Sequence, residues 1–123
     1  MIKQLKVNQT VKLTYDSNEL EFNNLKIDLV QNIVTKNGMD IYLTKSEFQV
    51  IKLLSSHPGQ VFSKEQLFEI IWNEKSESCL YAVENMISRI RKKIEDDPSR
   101  PQYILTVYGY GYKFTKKRIR DNL

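Results

Sequence analysis

The most regularly spaced hydrogen-bond donors of this chain lie in one segment, residues 81–94 (YAVENMISRIRKKI). At about 100° per residue, one face of a helix over this segment would be apolar and its opposite face polar. The apolar stripe consists of Val83, Ile87, Ile90 and Ile94, and the polar face of Tyr81, Asn85, Ser88, Arg89 and Lys92. Amides, hydroxyls and cations of this kind suit the base edges and phosphates of a nucleic-acid duplex. The remaining two cations, Arg91 and Lys93, lie on the flanks, where contact with phosphates is favoured over contact with bases.

A second candidate contact element follows directly, residues 103–114 (YILTVYGYGYKF), in which two glycines permit a tight hairpin turn. Core packing is the favoured interpretation for Tyr112 and Phe114. Near the turn, Thr106 and Tyr108 are the residues best placed to meet a nucleic-acid backbone or minor groove. A helix followed by a short ribbon has the shape needed to dock on DNA, with one element in a groove and the other along the backbone.

The elements that must position this helix and hairpin begin with short strands. Three runs of strand character occupy residues 25–29, 32–36 and 39–43, and Asn37–Gly38 separates the last two. Asn-Gly between such runs is a strong hairpin signal, because both residues tolerate positive φ. The first part of the chain is therefore predicted to form a small antiparallel sheet.

Two capping boxes, Thr44–Glu47 and Ser63–Gln66, predict the starts of two further helices. The first helix should end at residues 57–59 (His-Pro-Gly). Its predicted apolar residues are Phe48, Ile51 and Leu54, with Val50 and Leu53 beside them, and those of the second helix are Leu67, Ile70 and Ile71. The order sheet, helix, turn, helix, loop, long helix, hairpin predicts an α+β fold, a winged helix-turn-helix.

Length and charge set limits on the class of protein. A chain of 123 residues is enough for one domain with a real core. Its net charge of +4 and pI of about 9.1 permit a nucleic-acid partner without requiring one. Within residues 81–95, four basic and two acidic side chains leave a net charge of only +2. One cysteine, no apolar run of membrane-spanning length and no signal peptide favour a cytoplasmic protein without a membrane partner.

Enzyme chemistry has little support in the sequence. The single histidine, His57, lies in a turn, and the single cysteine, Cys79, has no histidine in its sequence context. No metal-ligand spacing, phosphate-binding loop or dinucleotide fingerprint occurs. We therefore expect no catalytic residue, no cofactor and no metal site.

Residues 25–114 resemble the C-terminal effector domain of OmpR/PhoB-type two-component response regulators. The resemblance rests on LTKSEFQVIKLL (43–54), HPGQVFSKEQLFEIIW (57–72), ISRIRKKI (87–94) and PQYILTVYGYGYKF (101–114). It implies a four-stranded N-terminal sheet, three helices and a C-terminal wing. It also implies regulation of transcription by sequence-specific binding of double-stranded DNA at tandem direct repeats, as a head-to-tail dimer.

By position, the resemblance assigns phosphate-side contacts to Lys64 and Trp72 and a backbone contact to Arg91. Groove-facing positions fall to Asn85, Ser88 and Arg89, and the wing contact falls to Thr106. It further implies that loop 73–79 can touch RNA polymerase. A receiver domain with a phosphorylatable aspartate is expected to precede this domain in the full-length protein.

Three positions depart from the family pattern. Tyr81 and Tyr108 stand where the family usually carries arginines that meet phosphate and minor groove, and Met86 replaces a commonly polar residue. A tyrosine donates one hydrogen bond but releases no counterion. We therefore expect weaker non-specific affinity and a shallower salt dependence than in a typical family member.

Domain boundaries and one alternative function complete the sequence-based predictions. Residues 1–20 are interpreted as a linker or an artificial segment, residues 21–116 as the winged-helix domain and residues 117–123 as a basic tail. The chain is either an excised effector domain or a natural stand-alone protein. As an alternative, the two tyrosines and the acidic residues of loop 73–79 favour a winged-helix protein-interaction module with weak or no specific DNA binding.

Overall fold

The computed structural model describes residues 18–72 and 80–116. Within these ranges the chain forms six strands and three helices in the predicted order. They are β1 Glu19–Phe22, β2 Leu25–Asp28, β3 Ile33–Lys36, β4 Met39–Ile41, α1 Lys45–Ser56, α2 Lys64–Trp72, α3 Leu80–Ile94, β5 Ile104–Val107 and β6 Gly111–Phe114. The predictions for most of the N-terminal linker, for loop 73–79, for Cys79 and for the basic tail fall outside the described residues.

The first four strands form an antiparallel sheet in the order β1-β2-β3-β4. Leu20 lies opposite Ile27, which in turn lies opposite Val34, and all three are buried. The period of two therefore places one face of the sheet against the core. At the β3–β4 turn, Asn37 and Gly38 have φ of 54° and 80°, which confirms the predicted hairpin. The first strand begins at Glu19, before the domain boundary expected at residue 21.

Both predicted capping boxes are present at the helix starts. The Thr44 side chain accepts a hydrogen bond from the backbone N–H of Glu47, and the Glu47 carboxylate accepts one from the N–H of Thr44. Ser63 and Gln66 make the same reciprocal pair before α2. In each case two backbone donors that lack a partner within the helix are satisfied.

The prediction that Ile70 of α2 lies in the core is wrong. Ile70 is 55% exposed, whereas Phe68 is buried beside Leu67. The ring of Phe68 stacks on Trp72 with centroids 4.7 Å apart. The helix therefore packs with its Phe68 side inward, because both aromatic rings bury more apolar surface there than Ile70 would.

Strands β5 and β6 form a hairpin, called the wing below, that is joined to the start of α2. Phe62 and Tyr112 exchange backbone hydrogen bonds of 2.8 and 2.9 Å. This pairing brings the two backbones close at Gly111, whose φ is +148°, and a Cβ there would lie 2.1 Å from the Phe62 carbonyl oxygen. Only glycine fits this close approach.

A buried carboxylate joins the end of α3 to the wing. Glu95 is 6% exposed, and its two oxygens accept hydrogen bonds from the backbone N–H groups of Gln102, Tyr103 and Ile104 at 2.7–3.2 Å. The carboxylate therefore connects the end of α3 to the start of β5 across the turn between them. This carboxylate aligns the wing with the helix.

Replacing Glu95 with Gln should lower the free energy of unfolding by about 2–3 kcal/mol, because the new amide group turns a donor towards three buried N–H donors. Urea denaturation measures this loss. Asp97→Asn is the matched control: the Asp97 carboxylate accepts hydrogen bonds from the exposed Ser99, so this substitution should cost less than about 1 kcal/mol. Equal losses in the two variants would contradict the proposed role of Glu95.

Candidate nucleic-acid interface

Helix α3 buries one face and exposes the other, as its sequence predicts. Val83, Ile87, Ile90 and Ile94 are each at most 1% exposed, and Met86 joins them at 4%. Every residue of the predicted polar face is exposed: Tyr81, Asn85, Ser88, Arg89 and Lys92. Burial explains why position 86 can carry a methionine, because an apolar side chain is suited to this site. The polar face of α3 is thus a continuous solvent-facing surface.

Arg91, predicted to contact the DNA backbone, turns towards the wing. Its Nε and Nη2 donate to the carbonyl oxygen of Ile104 at 3.2 and 2.8 Å, and Nη2 also donates to the Thr106 hydroxyl at 2.8 Å. Its guanidinium carbon lies 5.6 Å from the centroid of the Tyr112 ring. The predicted contact residues Arg91 and Thr106 are therefore joined to each other. Together they link α3 to β5.

The tip of the wing presents aromatic rings and no charge. Tyr108 is 87% exposed and Tyr110 is similarly exposed, while Tyr112 is buried as predicted. An open cleft of about 400 Å³ separates the wing residues 106–112 from the start of α2 at Lys64. Tyr81 is 73% exposed at the start of α3. Tyr81 and Tyr108, the two tyrosines at positions where the resemblance implies arginines, are therefore accessible to a partner.

A buried carboxylate lies behind the cations of α3. Glu47, 2% exposed, accepts a hydrogen bond from Lys93 Nζ at 2.7 Å, and its Oε2 lies 3.5 Å from Arg89 Nε. Burial raises the pKa of the Glu47 carboxyl, but the hydrogen bonds from Lys93 and the Thr44 backbone outweigh burial and hold this pKa below its ordinary value. Glu47 is therefore an anion at neutral pH. It faces two basic side chains of α3.

A second carboxylate engages the cation at the start of α2. Lys64 Nζ donates a hydrogen bond to Glu84 on α3, and this bond raises the pKa of Lys64 above its ordinary value. Trp72 is half-buried at the other end of α2, against Phe68. Among the residues that the structure describes, Lys92 forms no ion pair.

The structure thus gives several of the predicted site residues internal partners that the sequence does not reveal. Glu47 is visible in the sequence only as a capping residue, and nothing local indicates that it also faces Arg89. The same holds for the hydrogen bonds of Arg91 to the wing. Each of these contacts joins elements that are distant along the chain.

The described ranges, residues 18–72 and 80–116, also bear on membrane insertion and on metal binding. Neither range contains a helix long and apolar enough to cross a membrane. Nor do they contain a group of three or more His, Cys, Asp or Glu side chains that could hold a metal ion.

Comparison with known proteins identifies relatives over most of the domain. Residues 38–114 match the family described as "Transcriptional regulatory protein, C terminal". The uncharacterized transcriptional regulatory protein YcbL of Bacillus subtilis is 43% identical over 94 residues, which are 76% of this chain and 42% of that protein. The chain therefore spans less than half the length of this relative.

Solved structures show the same fold. The response regulator DrrB of Thermotoga maritima, an OmpR/PhoB homologue, has a TM-score of 0.75 and 35% identity, over 92% of this chain and 55% of DrrB. The RstA DNA-binding domain of Klebsiella pneumoniae, solved in complex with the RstA box, has a TM-score of 0.72 and 30% identity, over 79% of this chain and 96% of that domain. The sheet, the three helices and the terminal hairpin of the described residues, together with the family match, show that this chain belongs to the family of C-terminal domains of transcriptional regulatory proteins, with the winged-helix fold of the OmpR/PhoB response regulators.

Proposed function

We propose that this domain binds double-stranded DNA sequence-specifically and thereby regulates transcription, as the effector domain of a two-component response regulator. One observation carries the proposal: the polar residues of α3 lie on its exposed face, beside a wing that is hydrogen-bonded to the same helix. The helix enters the major groove, and the wing lies near the backbone or minor groove. The related RstA DNA-binding domain, solved in complex with the RstA box, supports DNA binding by this fold.

Within this interface the residues divide into two groups. Arg89, Asn85 and Ser88 are proposed to contact base edges, while Lys92, Lys64, Tyr81 and Trp72 contact phosphates. Arg91 and Thr106 have internal hydrogen bonds, so their proposed contribution is to set the angle of the wing before contact with the backbone. Tyr108 extends from the wing tip towards the groove.

The likeness to full-length response regulators supports several further proposals. A receiver domain would precede this domain in a cytoplasmic protein, since the chain covers 55% of DrrB. Two copies would bind tandem direct repeats head to tail, and loop 73–79 would contact RNA polymerase. Selection of bound duplexes from a random pool tests the dimer: two half-sites spaced by about one helical turn are expected.

A protein-interaction module is the alternative function, and the exposure of Tyr81 and Tyr108 favours it, because tyrosine is enriched at protein interfaces. A salt titration with duplex DNA separates the two functions. For DNA binding, the logarithm of the affinity falls linearly with the logarithm of salt concentration. Affinity for DNA that stays negligible at every salt concentration would favour the module.

We propose no catalytic role for the chain. His57, the only histidine, has a structural position: its Nδ1 donates to the carbonyl oxygen of Leu53 at 3.0 Å and its ring packs edge-on against Phe62. Both contacts close the C-terminus of α1.

Replacing Arg89 with Ala should weaken binding to the selected duplex by about 1–3 kcal/mol and relax the preference at one base pair, because a bidentate contact to guanine is lost. Binding isotherms for duplexes changed at each position measure this effect. Arg100→Ala, which removes the same charge from an exposed turn, is the control and should leave the preference intact. An unchanged preference in the Arg89 variant would mean that another face of α3 reads the bases.

Lys92→Ala should weaken binding to all duplexes about equally and reduce the salt slope by about 1, because a phosphate contact carries no sequence information. Competition assays over a salt series measure both quantities. Lys26→Ala, at an exposed position of β2, is the matched control and should change the slope less. A loss confined to particular sequences would contradict a phosphate contact for Lys92.

Tyr108→Arg should raise the affinity for DNA and steepen the salt dependence by about 1, because it adds a cation to the exposed wing tip. Val30→Arg adds the same charge at an exposed turn of the sheet and should have a smaller effect. If the two variants behave alike, the wing tip does not approach DNA.

A further inference from the structure

The geometry around Glu47 leaves one edge of Arg89 available. Its Oε2 lies 3.5 Å from Nε of Arg89, and the Arg89 side chain is 54% exposed. A guanidinium carries its donors on Nε and on two terminal Nη groups. Because the Nε edge faces Glu47, the two Nη groups at the outer end are left for a ligand.

We propose that Glu47 is a positioning residue for sequence recognition, which orients Arg89 so that both Nη groups meet a base end-on in the major groove. The inference rests on the proposed function, since it requires Arg89 to contact bases. Glu47 itself does not reach the DNA. It acts only through the direction in which it holds the arginine.

Glu47 is rigid enough for this task. Its carboxylate is buried, and Oε1 accepts hydrogen bonds from the Thr44 backbone at 3.0 Å and from Lys93 Nζ at 2.7 Å. Its position is therefore fixed by a hydrogen bond at the start of α1, by a hydrogen bond from the end of α3 and by burial in the core around them. A functional side chain is held accurately when its supporting residue is itself locked by packing and hydrogen bonds.

Lys93 compensates the charge of Glu47 in this arrangement. Because Lys93 already neutralises the carboxylate, Glu47 does not depend on Arg89 for charge compensation. The Nε–Oε2 distance of 3.5 Å is longer than an ordinary hydrogen bond of about 2.7–3.2 Å. Arg89 is therefore directed by charge and can still adjust on meeting a base.

Positioning favours specificity over total affinity. An unrestrained arginine can turn to a phosphate on any sequence, whereas a directed one meets its best partner only where the correct base is present. Ordering one long side chain in advance corresponds to a factor of about 2–10 in binding. The carboxylate also repels phosphates, so it lowers affinity for all sequences alike.

The test compares Glu47→Gln with Glu84→Gln. Each removes one negative charge that faces a cation of the proposed interface, but only Glu47 faces Arg89, since Glu84 pairs with Lys64. Glutamine at position 47 keeps an oxygen that can accept from the Thr44 N–H. The probes are a duplex with the consensus selected from a random pool by the wild-type domain, and duplexes changed at the base pair that Arg89→Ala relaxes.

For Glu47→Gln we expect the ratio of affinities between the consensus and the changed duplexes to fall about threefold to tenfold. For Glu84→Gln the ratio should stay at the wild-type value, although the affinity for all duplexes rises. In an Arg89→Ala background, Glu47→Gln should no longer change the ratio. A wild-type ratio in Glu47→Gln, or an equal fall in both glutamine variants, would overturn the proposal.

Arg89→Ala alone separates this inference from the proposed function. If Arg89→Ala leaves the ratio unchanged, Arg89 does not read a base and the positioning role falls with it. If Arg89→Ala lowers the ratio and Glu47→Gln does not, Arg89 reads a base without help from Glu47.

One further measurement uses the wild-type domain and so does not depend on whether any variant folds. Nitrogen relaxation of the Arg89 Nε–H group, in the absence of DNA, should report a more ordered side chain than that of Arg100, which lies in an exposed turn. Equal mobility of the two arginines would contradict the positioning role.

Discussion

Burial of one apolar stripe sets the direction of every polar side chain on α3. Val83, Ile87, Ile90 and Ile94 are almost completely buried, and each contributes about 1.5–3 kcal/mol relative to an exposed position. Rotating the helix by one residue, about 100°, would move most of this stripe into solvent. The core therefore fixes which side chains face outward. Because this stripe allows only one rotation of α3 about its axis, the order of donors along the sequence determines where each donor lies on the surface.

Several cations of the interface are held by internal acceptors, and the depth of each acceptor decides which of these contacts DNA can displace. Lys64 and Glu84 are both partly exposed, so their pair contributes about 0–1 kcal/mol and exchanges readily for a phosphate. Glu47 differs because it is buried, and an uncompensated buried charge is costly. Lys93 must then stay paired with Glu47 when Arg89 contacts a ligand. The low net charge of residues 81–95 reflects Glu84 and Glu95, which pair with Lys64 and bind the residues before the wing, and so organise the surface as well as reduce its attraction for phosphates.

Local signals predicted most of the fold, and tertiary contacts account for what they missed. The two capping boxes and the Asn37–Gly38 turn depend on residues within three positions of each other, so the sequence alone identifies them. The bond from Lys93 to Glu47 joins residues 46 positions apart, and no local pattern indicates it. The prediction that Ile70 is buried failed for a related reason. Two sides of this short helix are apolar, and packing against neighbouring elements selected the side of Phe68. The polar face of α3 was predictable, while the directions of Arg89 and Arg91 were not.

The wing combines a rigid base with an uncharged tip. At its base, the Glu95 carboxylate and the Arg91 guanidinium bind backbone groups of β5 and the residues before it. At its tip, Tyr108 offers a ring and one hydroxyl. Such a tip gains nothing from counterion release, so its contribution must come from contact area and from one hydrogen bond. Contact area depends on accurate placement far more than a long-range charge does, because dispersion falls off within fractions of an ångström. A wing that contacts DNA through tyrosine therefore needs the rigid joint to α3 that Arg91 and Glu95 supply.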